Sequence, residues 1–369
     1  MVREVQIDGA TRLRLRVSAA LAAVCLALRA VFAWRGTELF PAWRAFSKGL
    51  VGVLATVCGV APFALWDIAA LALLVCALVT LVRRVRAREP LLPWASWVAL
   101  VGMATMTLFV CWALNHYAPP LAGDLGLEVG QYSTDELADA TAHYLEEAAR
   151  LAPQVPRDDG GALVRQDFYE LAGIAGASYE GLAGEYPVFE GPTVPVKALL
   201  VWGEPQLYSG HTGIFWAPTG ESTVPLNCAI ADMPFTMCHE VAHRMGIASE
   251  REANFAAFLA CTSTNDVRFA YAGNYSAFCY CVNALLRVDP ERAQQVVQEV
   301  ADKGLAEGVA LVLGDRVATH EHYDAYEGPF EDVGTTVNNT YLRSFGEDAG
   351  VRSYGLVVDY LIAWYEQAA

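Results

Sequence analysis

The sequence predicts a set of N-terminal transmembrane α-helices followed by an α+β, mainly helical domain. Three observations carry this: long apolar runs confined to the first third, a reversal of charge sign after them, and short strands set between helical patterns in the remainder. Of the 369 residues, 54% are apolar and only 18% charged, an oily balance for a water-exposed chain. Residues 1–114 carry a net +7 and residues 115–369 a net −23, so the overall −16 hides two unlike parts. A basic, apolar head and an acidic body fit an anchor carrying a water-exposed domain. The acidic body excludes nucleic acid as a partner, because phosphate binding needs clustered Lys and Arg on the folded domain. The nine cysteines include no CxxC pair, which argues against a thiolate metal site and specifies no disulfides.

Each anchor element follows from length and charge. Residues 17–34 form a first span behind Arg12, Arg14 and Arg16. The segment lacks the small-x-small site of a cleaved signal peptide before Trp34. The apolar run from Leu50 to Val82 is interrupted at Pro62 and Asp67. Its second half, 64–82, reads as a span and its first half as interfacial or re-entrant. Residues 94–114 contain no charge and are bordered by Trp94, Trp97, Trp112 and Tyr117 as interfacial anchors. Placing the N-terminal arginines and the Arg83–Arg88 cluster in the cytoplasm requires three crossings. The expected organisation is an anchor at 1–116 in the plasma membrane and an extracytoplasmic domain at 117–369, with the lipid bilayer as a partner. Arg29 and Asp67 lie near span ends, where snorkelling is the simplest reading.

In the body, Ser133 and Glu136 form a capping-box pattern that opens a helix reaching Leu151. Strands are expected at 196–201, 213–218 and 223–229, and mostly helix from Pro234 onward. The apolar 354–364 segment is too short to span a bilayer and reads as a packed amphipathic helix.

The chemistry concentrates in residues 232–261. Pro234 suits the first turn of a helix and Gly246 its end. Between them His239 and His243 stand at i and i+4, on one helical face, where both imidazoles can share a tetrahedral Zn2+. Glu240 follows the first histidine and can serve as general base toward a water at the metal. The competing reading is a helix with two surface histidines and a salt-bridging glutamate. The downstream sequence favours the metal. Ser249 and Glu252 have capping-box spacing for a second helix, which leaves Glu250 to turn back as an oxygen ligand. Asn254, one turn later, can hold the far nitrogen of a ligand histidine. Glu252 competes with Glu250 for the ligand role. Two histidines, a carboxylate and an open position describe a catalytic rather than a structural zinc site.

The string HEVAHRMGIASEREANF resembles the motif of a family of bacterial membrane proteins known as domain-of-unknown-function family 3810. The segments beginning at Pro62 (PFALWDIAALALL), Cys111 (CWALNHYAPPLAGDLGL), Gly213 (GIFWAPTGEST) and Gly350 (GVRSYGLVVDYLIAWY) resemble that family in the same order. The resemblance implies a multi-span anchor and a zincin-like domain, without an established substrate. The Glu250–Asn254 element is also similar to the third-ligand element of gluzincins and of anti-repressor metallopeptidases. Here it lies unusually close behind His243, so the chain must turn tightly at Gly246.

Other residues carry weaker signals. The 213–218 strand can pair with an extended peptide beside the motif helix, or be an ordinary core strand. His320, His322 and Tyr354 are candidate donors to a tetrahedral oxyanion, with Tyr354 preferred for its place in the family-like segment. His211 and His143 read as surface or loop residues. The expected function is zinc-dependent hydrolysis of peptide bonds, the substrate being a peptide or protein of the cell envelope. One alternative is a catalytically silent zinc-binding recognition module. Another is a structural membrane protein in which the motif is incidental. Intramembrane proteolysis is disfavoured, because the motif lies among charged residues and far along the chain from any span.

Overall fold

The computed structural model describes residues 7–345 and 357–368. Among these residues, three helices are long and apolar enough to cross a membrane: α1 (Gly9–Cys58), α2 (Leu65–Ala87) and α3 (Leu92–Ala113), the last extended by a single turn to Tyr117. Asp8 caps α1 by accepting from the Thr11 amide at 2.9 Å. The first expected span and the stretch expected to be interfacial or re-entrant belong to this one helix, which bends at Arg35 (φ −136°, ψ 31°). Polar residues between the two stretches have partners on the rest of the chain. Arg44 pairs with Asp124 at 2.9 Å, Ser47 accepts from the Asn115 amide at 2.9 Å, and Lys48 donates to the Val188 carbonyl at 2.7 Å.

Side-chain contacts fix the relative directions of the three helices. Arg14 Nε donates to Ser96 Oγ at 2.9 Å, and Cys25 lies 3.5 Å from Thr107, so α1 and α3 run parallel. Trp94 donates to the Ala77 carbonyl at 3.0 Å, joining the start of α3 to the later part of α2, which runs back antiparallel. Arg12–Arg16 and Arg83–Arg88 therefore lie at one end of the bundle.

The other end is built into the acidic domain. Asp67 is fully buried and accepts the Leu200, Val201 and Trp202 amides at 2.6–3.0 Å. Glu221 accepts the Leu65 and Trp66 amides at 2.8 and 3.0 Å and pairs with Lys197 at 3.0 Å. The snorkelling reading of Asp67 is thus corrected. A carboxylate out of water needs donors, and the first turn of α2 supplies it to an otherwise unsatisfied loop. Arg29 donates to the Ser344 carbonyl at 2.6 Å and sits 4.5 Å above the Phe345 ring, so it too has a protein partner.

The domain core is organised around α4 (Thr134–Leu151), which opens with the expected capping box at Ser133 and Glu136. After α5 (Phe168–Ala177) come three strands, β1 (Lys197–Leu199), β2 (Ile214–Trp216) and β3 (Glu221–Pro225), in the spatial order β1-β3-β2. β1 is parallel and β2 antiparallel to β3, so β2 is an edge. The third strand begins two residues before its expected start and ends at Pro225, which has no N–H to continue the ladder. The described residues that follow are mainly helical: α6 (Met233–Arg244), α7 (Glu250–Ser263), α8 (Val267–Val288), α9 (Pro290–Val300), α10 (Ala306–Asp324), α11 (Pro329–Ser344) and α12 (Val358–Ala368). α8 lies along α4, and Tyr144 of α4 donates to the Leu361 carbonyl of α12 at 2.7 Å.

Candidate metal centre

Helix α6 carries the motif, and every one of its residues is buried. It packs between α5, β3, α7 and α8. Pro234 lies in its first turn, and Gly246 (φ +89°) ends it by taking a left-handed conformation that side chains resist. That reversal brings the start of α7 back against the histidines. His239 Nε2 and His243 Nε2 are 3.1 Å apart, and Glu250 Oε2 lies 3.1 Å from the first and 3.5 Å from the second. A tetrahedral ion with bonds of ~2.0–2.1 Å has ligands separated by about 3.3 Å. The donor set fits such an ion, since two imidazoles and a carboxylate leave a fourth position open. Among the described residues, these three form the group of His, Cys, Asp or Glu whose ligand atoms all lie within 4.8 Å of one another.

The surroundings orient the donors. His243 Nδ1 lies 2.7 Å from the Ile247 carbonyl, which takes its proton and leaves Nε2 to face the cluster. The His243 carbonyl accepts from the Trp112 indole at 3.0 Å, and the two rings meet edge to face at 5.8 Å. Trp112 belongs to α3. The motif is far from the spans in sequence yet rests directly on the end of one.

Glu250 and Glu252 take different directions. Glu252 Oε1 accepts the Leu121 amide at 2.8 Å and the Tyr360 hydroxyl at 2.9 Å. Ser249 stands at the N-cap with extended backbone but makes no side-chain capping bond, so the expected capping box is absent. The competing donors from Leu121 and Tyr360 explain this, because they draw the Glu252 carboxylate away from the helix end. Asn254 is buried one turn after Glu250 and lines the same cavity as His239.

That cavity measures about 770 Å³ and lies between α6, α8, α10, α11 and the loop before β2. Glu240 opens onto it with Oε2 lacking a hydrogen-bond partner, although the atom is buried. Burial raises the Glu240 carboxyl to about 7, against the smaller opposing pull of His239 and His243. For His243 burial acts downward, but the Glu250 charge and hydrogen bond outweigh it and lift the imidazole to about 9. Glu250 in turn resists the upward effect of burial, because both imidazoles hold its carboxyl well below the usual range.

These shifts set a pH dependence. A raised His243 value means that the protein holds a proton on the atom that would bind a metal, so any uptake would have to expel it. Zinc uptake at pH 7 is expected to release about one proton from His243, and apparent affinity to rise by up to about tenfold per pH unit, flattening above pH 9. Calorimetric titration in buffers of differing ionisation enthalpy measures both. Uptake without proton release at pH 7 would contradict the arrangement.

Two participants were not legible in the sequence. An ideal Cβ on Gly213 would fall 2.5 Å from Glu240 Oε1, so only glycine leaves room for that carboxylate beside β2. Gly213→Ala is expected to displace Glu240 and lower any turnover by ~10-fold or more, with little change in metal content; parallel rate and metal measurements decide it. His211, taken as a loop residue, lines the cavity close enough to feel the Glu250 charge, and its Nδ1 lies 3.0 Å from Ser209 Oγ. Burial holds its imidazole below the usual value. His320 lines the rim and pairs with Asp324 at 3.2 Å, whereas His322 packs on Tyr323 and Tyr326. His143 packs between Tyr144 and Tyr365, away from the cavity. Tyr354 lies outside the described residues.

Fold and site together define a class: a mainly helical protein with three helices fit to cross a membrane and a buried His-His-Glu cluster where they meet the body. The chain belongs to the family described as "Protein of unknown function (DUF3810)", whose model matches residues 44–362. No curated protein and no solved structure matches it.

Proposed function

We propose that this protein is a membrane-anchored, zinc-dependent metallopeptidase of gluzincin-like type, with its domain outside the cytoplasm. The observation that carries the reading is the convergence of His239, His243 and Glu250 beside Glu240, whose carboxylate Oε2 is unpartnered, in one cavity. Zinc held there would polarise a scissile carbonyl and acidify water. Glu240, with a carboxyl near neutrality, accepts the water proton and returns it to the leaving amine. His211, which lines the same cavity, donates to the oxyanion, a role for which Tyr354 also stands. The edge strand β2, whose Phe215 backbone bonds Glu240, aligns an extended peptide across the cluster.

The bundle supports this orientation. The basic ends of α1 and α2 and the start of α3 share one side, which the positive-inside rule assigns to the cytoplasm. The domain then projects from the opposite face, toward substrates of the cell envelope. Because Asp67, Trp112 and Glu221 tie the helices to the domain, the test uses the full chain in detergent. Stoichiometric zinc together with peptide cleavage supports the reading. Zinc without cleavage favours the silent recognition module, and a folded chain that takes up no zinc sinks both.

A further inference from the structure

The cavity extends past the cluster along α6, and its far wall carries Asp232. Asp232 stands immediately before the helix, where aspartate ordinarily caps, yet its side chain makes no capping bond. Its carboxylate is reachable from the cavity while being enclosed by protein, and Tyr323 is its hydrogen-bonding neighbour. Among the described residues no cation contributes to its electrostatics. The basic side chain on this wall, Arg316, is engaged by Asn283 at 2.6 Å. Burial accordingly raises the Asp232 carboxyl to about 6. A desolvated acid facing a cavity without a counter-ion is costly for the empty protein and complementary to a cation arriving with a ligand.

The spacing identifies the cation's carrier. Asp232 precedes His239 by two helical turns, about 10 Å along the axis. A lysine or arginine side chain extends about 6–7 Å from its Cα, and the Cα of a residue flanking the scissile bond lies about 2–4 Å from it. Tyr275 and Tyr323 supply aromatic walls for the apolar stem. The net charge of −23 on residues 115–369 attracts cationic peptides at longer range.

We propose that Asp232 forms the floor of a subsite that takes a lysine or arginine side chain next to the scissile bond. This rests on the peptidase reading and adds a substrate class to it. The test uses the zinc-loaded full chain and matched peptides carrying Lys, Arg, Gln or norleucine on either side of the cleaved bond. The expected kcat/KM for Lys or Arg exceeds that for Gln by ~30-fold or more, and Asp232→Asn brings the ratio near one. A second measurement is anisotropy binding of the Lys and Gln peptides to Glu240→Gln, with and without Asp232→Asn. Zinc content and thermal melting show that the variants fold. Absence of basic preference in the wild type, or its survival in Asp232→Asn, overturns the proposal. Should no peptide be cleaved, the peptidase reading falls, while Asp232-dependent binding of the Lys peptide would still support the subsite and its absence would overturn it.

Discussion

Glu240→Gln is expected to keep its zinc and lose peptide hydrolysis by ~10²–10⁴-fold, the usual contribution of a positioned general base. The amide matches the carboxylate in shape, so the clearance at Gly213 and the bond from Phe215 survive in outline. It cannot accept a proton. Stability should not suffer either. Glu240 Oε2 is buried without a partner, and burial already penalises its charge, so a neutral replacement removes a desolvation cost. The combination to look for is unchanged metal content, an equal or higher melting temperature and a collapsed kcat. If hydrolysis persists, proton transfer belongs to another group, and His211 becomes the first to test.

The parts of this arrangement that were legible in the sequence are those that depend on local spacing. An i, i+4 histidine pair shares a helical face whatever the tertiary fold, and Pro234 and Gly246 bracket that helix by backbone restrictions of their own. Span lengths and basic flanks are equally local. The continuity of α1 was hidden because Arg44, Ser47 and Lys48 look like loop residues until Asp124, Asn115 and Val188 are seen to meet them. Asp67 misled for the same reason. Its donors lie more than 130 positions away, and nothing in its own neighbourhood announces them. His211 and Gly213 sit in a loop of ordinary composition, and only the packing of β2 against α6 gives them neighbours. A glycine hard against a carboxylate is a steric relation between distant segments, which periodicity cannot carry.

The choice between Glu250 and Glu252 is of that same non-local kind, and it yields the second large effect. Both precede Asn254 on α7 and both are buried, but Glu250 meets the imidazoles while Glu252 bonds Leu121 and Tyr360. Glu250→Gln removes the anionic oxygen from the cluster and with it the charge that would attract a divalent ion, so zinc affinity should fall by ~10²-fold or more. Without that charge the His243 value also drops from about 9, and the pH dependence of zinc uptake should shift to lower pH. Glu252→Gln weakens two charge-assisted hydrogen bonds that join α7 to the segment after α3 and to α12. About 1–2 kcal/mol of stability is expected to go with them, a melting shift of a few degrees, with zinc affinity retained. Competition with a chromogenic chelator and thermal melts on the two variants separate these outcomes. Metal loss in Glu252→Gln with retention in Glu250→Gln would move the third ligand to Glu252, and α7 would then have to rotate by about 160° about its axis to present it.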